Sequence, residues 1–267
     1  MNFSMQELEA MAESVPHWFH SIDLGHGVIT NGWKSSSQLA YELESFRFPR
    51  LRGKSVLDIN TWDGFFSFEA ERRGASRVVA LDHYMWAMDL AVHHKYWKDC
   101  KERGISPSAY HTMPYYMPDK MPGKMGFDIA QKALQSKVEG LIGDFMKMEI
   151  ESLGTFDIVF YLGSLYHMED PLRAMRRVAA VTKELAIIET EAAVFAGLGH
   201  HALCEFFESN ELNGDVSNWW APNERALMGL CRAAGFSRVD SIVSPPASTA
   251  PIPSAVVRYR AVVHAWK

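Results

Sequence analysis

The sequence predicts an α/β fold in which a largely parallel sheet is covered by helices on both faces. Short apolar runs at 55–59 (SVLDI), 77–82 (RVVALD) and 156–163 (FDIVFYLG) have the length and composition of buried strands. Segments with helical periodicity and capping residues separate these runs, which is the pattern expected for parallel strands joined by crossover helices. A chain of 267 residues is long enough for one such domain.

The N-terminal region is expected to begin with a short helix. Residues 4–14 (SMQELEAMAES) start with a serine that is followed three positions later by glutamate, which is the pattern of a capping box. Residues 17–36 are aromatic, rich in histidine and interrupted by glycine, as expected of a structured lid without regular elements. We therefore expect residues 1–36 to form an N-terminal helix and lid, and residues 37–267 to form a single globular domain.

Helices and strands are expected to alternate through the rest of the chain. Further helices are predicted at 37–46, 66–74, 85–104, 127–137, 170–182 and 223–236, and further strands at 138–143, 184–190, 237–244 and 255–267. Asp170 and Pro171 form an N-cap and first-turn pair. The stretch 105–126 contains three Met-Pro pairs and is expected to be irregular. The last two strands are expected to be antiparallel.

The composition argues against several classes of function. A net charge of −5 and a pI near 6.1 oppose a large nucleic-acid footprint. No apolar run is long enough for a membrane helix, and the N-terminus does not resemble a secretory signal. Cys100, Cys204 and Cys231 are widely spaced, which argues against a structural zinc site and fits a reduced, cytoplasmic protein. We expect no metal and no membrane partner.

The segment after the first buried strand raises the question of a nucleotide-type site. Asp58 and Asp82 lie at the ends of two successive strands, where ligands bind in open parallel sheets. The loop has a single glycine, Gly64, which argues against a pyrophosphate and favours a phosphate-free ligand such as S-adenosylmethionine (SAM). Asn60 tolerates left-handed backbone, whereas Trp62 is expected to form a wall instead. From spacing alone, the two aspartates could equally be caps of ordinary buried strands.

Four motifs carry a family resemblance. VLDINTWDG (56–64), VVALD (78–82), GD (143–144) and FDIVFYLGSLYHMEDPL (156–172) resemble the class I SAM-dependent methyltransferases, and more narrowly the family of the tRNA wobble-uridine carboxymethyltransferase. LGSLYH followed by DPL is the most specific piece, and the resemblance covers nearly the whole chain. It implies a Rossmann-like class I methyltransferase fold, with a mostly parallel seven-stranded sheet, helices on both faces and an antiparallel C-terminal strand.

The resemblance also implies SAM as the cofactor and assigns roles to individual residues. Asp82 would hold the ribose, adding little to the core, so that its replacement by alanine would leave the fold intact. Asp144 and Phe145 would flank the adenine, and Tyr166 would face the sulfonium. Lys34 and Arg260 match basic cofactor contacts. The complete cofactor-binding set is Lys34, Asp58, Asn60, Gly64, Asp82, His83, Tyr84, Asp144, Phe145, Leu162, Tyr166 and Arg260.

One departure from the family bears on the cofactor. The carboxymethyltransferase holds the extra carboxylate of carboxylated SAM with a lysine ahead of a Gly-Pro-Phe. The corresponding residues 15–20 read VPHWFH and contain no lysine. Because a half-buried carboxylate without a cation partner is poorly stabilised, we expect plain SAM and methyl transfer.

Candidate acceptor-site residues lie beyond the carboxyl ends of the strands. Tyr166, His167 and Glu189 are the predicted catalytic residues, since a methyl acceptor requires alignment and in some cases a base. His167 could instead only tie its loop together. The predicted substrate contacts are His20, His201 and Trp220, although tryptophans in such a loop are also common anchors.

The sequence therefore predicts methyl transfer to a nitrogen or oxygen of a small-molecule metabolite. The lid candidates at 17–36 and 105–126 have few basic residues, whereas a tRNA-binding lid should have several. The alternatives are a tRNA wobble-uridine modifying (carboxy)methyltransferase, with tRNA as partner, and a SAM-binding regulatory protein without turnover. Both a monomer and a homodimer are compatible with the sequence.

Overall fold

The computed structural model describes residues 3–108, 112–246 and 256–267. The helices are α1 Met5–Glu13, α2 Ser36–Ser45, α3 Phe65–Arg72, α4 Leu90–Arg103, α5 Met125–Leu134, α6 Pro171–Val181 and α7 Glu224–Ala233. The strands are β1 Trp18–His20, β2 Asp23–Gly25, β3 Val28–Ile29, β4 Gly32–Lys34, β5 Ser55–Ile59, β6 Arg77–Asp82, β7 Glu139–Ile142, β8 Phe156–Leu162, β9 Thr182–Phe195, β10 Cys204–Phe206, β11 Trp220–Pro222, β12 Arg238–Val243 and β13 Val256–Trp266.

Seven of these strands form one sheet in the order β12-β13-β9-β8-β5-β6-β7. β6 is parallel to both β5 and β7, and β8 is parallel to β9. β13 is antiparallel to both of its neighbours, β9 and β12. The mostly parallel seven-stranded sheet and its antiparallel C-terminal strand, both expected from the sequence, are confirmed.

The chain divides into two compact units. The first comprises Met1–Glu44 with Phe48–Met148, and the second comprises Ser45–Arg47 with Glu149–Lys267. The domain boundary expected after residue 36 stays a prediction.

The first unit is built on β5 and β6, whose apolar runs are almost entirely buried. Val56, Leu57 and Ile59 are 0% exposed, and in β6 only Arg77, its first residue, is exposed. A strand that is covered on both faces loses the alternation of polar and apolar residues, which is why these segments read as continuous apolar runs.

The second unit is dominated by the long antiparallel pair of β9 and β13. Their register runs from Leu185 opposite Trp266 to Phe195 opposite Val256 without interruption. β9 is buried from Leu185 to Ala193, although this stretch contains two glutamates. Buried carboxylates of this kind need charged or hydrogen-bonding partners, and Arg260 of β13 binds both of them.

The N-terminal segment is more regular than the sequence predicts. Residues 17–36, expected to lack regular elements, contain β1 to β4, of which β1 pairs with β4 in parallel and β2 pairs with β3 in antiparallel fashion. Strands of two or three residues are too short to produce a periodic signal, and their pairing is decided by contacts.

Three other features differ from expectation. β9 extends to Phe195, whereas this strand was expected to end at residue 190. α4 begins at Leu90 rather than at residue 85, because the Asp89 side chain accepts a hydrogen bond from Val92 N at 3.1 Å and caps the helix there. The antiparallel pair of β10 and β11 was not predicted; it joins segments separated by an irregular loop, which the sequence does not mark.

Both predicted N-caps are confirmed. Ser4 and Glu7 form a reciprocal capping box at α1. Asp170 accepts from Arg173 N at 2.9 Å at the start of α6, with Pro171 as the first helical residue. These side chains satisfy backbone donors that have no partner within the helix.

Of the residues that the structure describes, none belongs to a helix with the length and apolarity needed to cross a membrane.

Replacing Asp170 by alanine is expected to lower the free energy of unfolding by about 1 kcal/mol, because the first turn of α6 loses its cap. Asp170→Ser, which retains an acceptor, should lose only a fraction of that. Urea denaturation of both variants measures the difference, and equal losses would contradict the capping role.

Candidate functional site

The loop after β5 has left-handed backbone at three positions. Asn60, Trp62 and Gly64 have φ of 62°, 54° and 88°. The prediction for Asn60 is confirmed, and the expectation that Trp62 would avoid this conformation is wrong. Trp62 is held there because its N–H donates to Asp82 Oδ2 at 2.9 Å and its carbonyl accepts from Trp86 Nε1 at 2.6 Å.

The Trp62 ring also forms one layer of an aromatic stack. It lies parallel to the ring of Phe19, with a centroid distance of 3.9 Å and an interplanar angle of 2°. Lys34 Nζ lies 5.3 Å from the Phe19 centroid, and it pairs with Glu42 Oε2 at 2.8 Å. Lys34 therefore lies near this aromatic stack with its charge already compensated, and its predicted contact with the cofactor stays a prediction.

Gly64 is required by packing as well as by its backbone conformation. A Cβ atom at this position would lie 2.7 Å from Phe127 Cδ2 and 2.8 Å from Phe68 Cε2. Gly64 precedes the first residue of α3 and is buried. The glycine thus fixes how α3 begins, and any cofactor contact by Gly64 stays a prediction.

Asp58 ties the loop to the start of α3 from within the core. It is 3% exposed, and its Oδ2 accepts from Thr61 Oγ1 at 2.8 Å and from Ser67 Oγ at 2.6 Å. Burial raises the pKa of Asp58, and the two hydroxyl donors oppose that shift. In this structure Asp58 supports the loop, and its predicted contact with the cofactor stays a prediction.

Asp82 is completely enclosed at the end of β6. It is 0% exposed, and its second oxygen, Oδ1, accepts from Met85 N at 3.1 Å. Burial raises the pKa of Asp82 to about 6, and backbone donors, with Trp62 first, oppose the shift. The expectation that Asp82 adds little to the core is wrong, because it joins two loops. Its contact with the ribose stays a prediction.

The residues expected to flank the nucleoside follow β6 and β7. His83 and Tyr84 are half-buried, and His83 Nδ1 lies 3.3 Å from the Tyr116 hydroxyl. The turn after β7 is joined to the end of β6, since Gly143 N donates to Asp82 O at 3.1 Å. Parallel pairing therefore brings these two loops to one edge of the sheet, as the sequence predicts.

Asp144 is the accessible carboxylate of this group. Its side chain is 29% exposed; Oδ1 accepts from Met146 N at 2.9 Å and Oδ2 lies 2.9 Å from Lys147 Nζ. The neighbouring Phe145 is 4% exposed. An accessible carboxylate can accept a hydrogen bond from the exocyclic amine of adenine, which is the role predicted for Asp144.

His20, a predicted substrate contact, lies in a buried pair. Its Nδ1 bonds Asp63 Oδ1, and Asp63 Oδ2 accepts from the backbone N–H groups of Phe19 and His20 at 2.8 and 3.0 Å. His20 is 4% exposed and Asp63 2% exposed. The pair anchors β1 to the loop after β5, and the substrate contact stays a prediction.

In the second unit, Arg260 is bound by two glutamates of β9. Its Nε and Nη2 donate to the two oxygens of Glu189, the latter at 2.6 Å, and Nη1 lies 3.3 Å from Glu191 Oε2. Glu189 is 6% exposed and Glu191 8% exposed. Burial raises the pKa of Glu191, opposed mainly by Arg260. The predicted base Glu189 is therefore engaged in a bidentate ion pair.

Tyr166 and His167 lie on the 3-10 turn that follows β8. The Arg260 guanidinium carbon is 4.8 Å from the Tyr166 ring centroid, and burial raises the pKa of the phenol while Arg260 opposes the shift. His167 Nδ1 lies 3.0 Å from both the carbonyl and the hydroxyl oxygen of Ser217. Burial lowers the pKa of His167, and Asp215 opposes the shift.

Leu162, Trp220 and His201 are the remaining predicted contacts. Leu162 ends β8 and is half-buried. Trp220 is half-buried on β11, its ring 4.9 Å from that of Phe206. His201 is exposed, and its carbonyl accepts from Asn223 Nδ2 at 2.8 Å. Their cofactor and substrate roles stay predictions.

Asp63, Asp215 and Ser217 support predicted site residues but were not themselves predicted. Asp63 directly precedes Gly64, and an acidic residue before a glycine was the only local signal. Ser217 contacts His167 across about fifty positions of the chain, and Asp215 binds that serine, so no local pattern indicates either residue as a partner of His167. Within the described part of the chain, no group of three histidine, cysteine or carboxylate side chains is arranged to hold a metal ion.

Replacing Gly64 by alanine is expected to lower the free energy of unfolding by about 2 kcal/mol or more, since backbone strain and crowding add. Gly53→Ala is the matched control: Gly53 also has positive φ, but nothing lies within 4 Å of its Cβ position. That variant should lose only about 1 kcal/mol. Equal losses in urea denaturation would contradict the crowding at Gly64.

Ionisation of Asp82 is expected to cost stability, because its pKa is raised to about 6 in the folded protein. The protonated Asp82 side chain contributes its full stabilisation of the folded protein below about pH 4, and this contribution is lost as the pH rises through about 6. The difference in unfolding free energy between wild type and Asp82→Asn, which does not titrate, should therefore shrink from about pH 4 to about pH 7. A difference independent of pH would contradict the shift.

Residues 122–188 match the family described as a methyltransferase domain. The tRNA U34 carboxymethyltransferase of Desulfotalea psychrophila (strain LSv54 / DSM 12343) is 23% identical over 201 residues, which are 75% of this chain and 50% of that protein. The chain thus spans about half the length of this curated relative.

Among solved structures, the N-terminal domain of EvdMO1 in the presence of SAH and D-fucose is similar over 99% of this chain and 97% of its own, with a TM-score of 0.63 and 15% identity. The same domain with SAH bound has a TM-score of 0.62 and 16% identity, with the same coverage. The resemblance indicated by the sequence motifs is confirmed: the chain has the Rossmann-like fold of the class I methyltransferases, and residues 122–188 carry the match to the methyltransferase domain family.

Proposed function

We propose that this protein is a SAM-dependent methyltransferase that transfers a methyl group to a nitrogen or oxygen of a small-molecule metabolite in the cytoplasm. The observation that carries the proposal is the loop of residues 60–64, whose left-handed backbone is tied to the acid that ends β6. This arrangement accompanies a methyltransferase fold and a methyltransferase domain match.

The loops after β6 and β7 are suited to the nucleoside part of SAM. Asp144 offers a partly exposed carboxylate to the adenine amine, with Phe145 beside it. His83 and Tyr84, which are half-buried in the turn after β6, are the proposed ribose contacts. Asp82 reaches a ribose hydroxyl only if the loop at Trp62 shifts, because its carboxylate is enclosed. When bound, SAM supplies a methyl group activated by the sulfonium.

The charges of the predicted basic contacts favour plain SAM over carboxylated SAM. Arg260 is held by Glu189 through two hydrogen bonds, and Lys34 is paired with Glu42. Neither cation is free to compensate an additional carboxylate, whose burial without a partner is costly. Residues 15–20 contain no lysine, which also favours plain SAM.

The pairing of surface arginines supports a small-molecule acceptor. Arg72, the last residue of α3, and the following Arg73 both bind Glu69, and Arg77 binds Glu139. Two carboxylates thus offset most of the charge of these three arginines, which leaves little positive charge for a track that binds phosphates.

The second candidate is tRNA modification, which the relative from Desulfotalea psychrophila favours. Filter binding to tRNA at moderate salt separates the two candidates, since tight and salt-sensitive association would support the tRNA enzyme. Release of S-adenosylhomocysteine in the presence of a metabolite pool separates either enzyme from a regulatory protein that only binds SAM.

Replacing Asp144 by alanine is expected to weaken SAM binding by roughly tenfold, corresponding to the loss of one hydrogen bond to a charged group. Glu139→Ala, at the other end of β7, should leave the affinity unchanged. Calorimetry with SAM measures both variants. Absence of SAM binding by the wild-type protein, or equal affinity for Asp144→Ala, would contradict the proposed cofactor site.

A further inference from the structure

The three predicted bases of the second unit differ in their capacity to accept a proton. Glu189 binds Arg260 with both oxygens, so proton transfer to it would break a bidentate ion pair. Burial raises the pKa of Tyr166, so the phenol stays protonated at neutral pH. His167 differs from both, because burial lowers its pKa and the imidazole is neutral at neutral pH.

The surroundings of His167 specify which of its nitrogens carries the proton. Nδ1 faces the Ser217 carbonyl at 3.0 Å, and a carbonyl oxygen can only accept. The Ser217 hydroxyl, also at 3.0 Å, donates its proton to Asp215 Oδ1 at 2.7 Å and so presents only lone pairs to the ring. Nδ1 is therefore the donor, and Nε2 carries the lone pair.

The loop that contains Asp215 and Ser217 is firmly attached to the turn that contains His167. Trp219 N donates to Tyr166 O at 2.8 Å, and Ser217 N donates to Asp215 Oδ1 at 2.8 Å. Asn218 Nδ2 donates to Asp215 O at 3.1 Å. In the described parts of the chain, His167 Nε2 has no hydrogen-bond partner. The His167 ring is thus fixed through Nδ1, and Nε2 is available to accept a proton.

We propose that Asp215 and Ser217 are positioning residues that hold His167 in the Nδ1–H tautomer, so that Nε2 takes the proton of a hydroxyl group on the methyl acceptor. This inference rests on the proposed methyl transfer from SAM and narrows the acceptor to a hydroxylated small molecule. The fixed tautomer and the unoccupied lone pair are the arrangement that general-base catalysis by histidine requires.

The reaction balances with SAM as the only co-reactant. The acceptor oxygen forms a bond to the methyl carbon while the carbon–sulfur bond breaks, and its electron pair remains on sulfur as a thioether. The hydroxyl proton passes to Nε2, giving an imidazolium that returns the proton to solvent. The charged and titratable groups around the ring are Asp215, which favours the imidazolium, and Arg260, which disfavours it, with Tyr166 in ring contact at 4.1 Å.

The first test is the tautomer of His167, measured by ¹⁵N NMR of the histidine ring in the full chain. Wild type should show the Nδ1–H form. Asp215→Ala frees the Ser217 hydroxyl to donate to Nδ1, so a mixture of tautomers is expected. Asp215→Asn preserves an acceptor for that hydroxyl but removes the charge, so the tautomer should persist while the pKa of His167 falls. Wild-type protein in the Nε2–H form would overturn the proposal.

The control for Asp215 is Glu211→Gln, an exposed carboxylate that accepts backbone N–H groups in the same loop. It should change neither the tautomer nor the pKa of His167. If Glu211→Gln and Asp215→Asn changed the pKa of His167 equally, the change would reflect the charge of the loop as a whole. That result would overturn the positioning role of Asp215.

The second test separates a base from a structural tie. In His167→Asn, the side-chain amide takes the place of Nδ1 and retains the hydrogen bond to Ser217, but no atom replaces Nε2. His167→Asn should therefore reduce kcat by about 100-fold or more while SAM affinity is unchanged. Retention of turnover by His167→Asn would overturn the proposal.

Turnover is measured with methyl-deuterated SAM and a pool of hydroxylated metabolites that includes D-fucose, beside a pool of amines. A deuterated methyl ether is the expected product, and an N-methyl product would overturn the assignment of a hydroxyl acceptor. Failure of wild type to bind SAM would instead contradict the proposed function, while the NMR result would still decide the role of Asp215 and Ser217.

Discussion

The hydrogen bond from Trp62 N to the buried carboxylate of Asp82 is the interaction on which the candidate cofactor site depends. A bulky residue in left-handed backbone costs about 1–2 kcal/mol, and a hydrogen bond to a charged group contributes about 1.5–3 kcal/mol. The two are of similar size, so the loop keeps a conformation that usually needs glycine. Because the same carboxylate accepts from Met85 N, the geometry of one loop is coupled to that of the next.

Two further carboxylates reinforce this loop. Asp58 receives the hydroxyls of Thr61 and Ser67, and Asp63 receives backbone amides of β1 and the ring of His20. Buried carboxylates persist only when donors surround them, and each of these has at least two. Asp58, a predicted cofactor contact, thus shapes the loop itself together with Asp63, which was not predicted as a contact. Asp144 is the accessible carboxylate among the predicted nucleoside contacts.

In the second unit, paired charges restrict the chemistry. Arg260 binds both Glu189 and Glu191, so neither this cation nor the bidentate carboxylate of Glu189 is free. Ser217, on the loop that precedes β11, is bound both to Nδ1 of His167 and to Asp215. Over the ranges that the structure describes, Nε2 of His167 has no hydrogen-bond partner. The methyl transfer that we propose needs alignment and one proton acceptor, and a single oriented imidazole could supply that acceptor.

The sequence by itself determined the sheet, its strand bounds within a few residues, the helix caps at Ser4 and Asp170, and the family resemblance, because apolar runs and capping patterns are local. Only the tertiary structure decided the short strands of residues 17–36, the left-handed Trp62, the enclosure of Asp82 and the attachment of His167 to Ser217. Each of these depends on a partner distant in the chain, and a side chain's type does not reveal whether it will meet a ligand or a backbone amide.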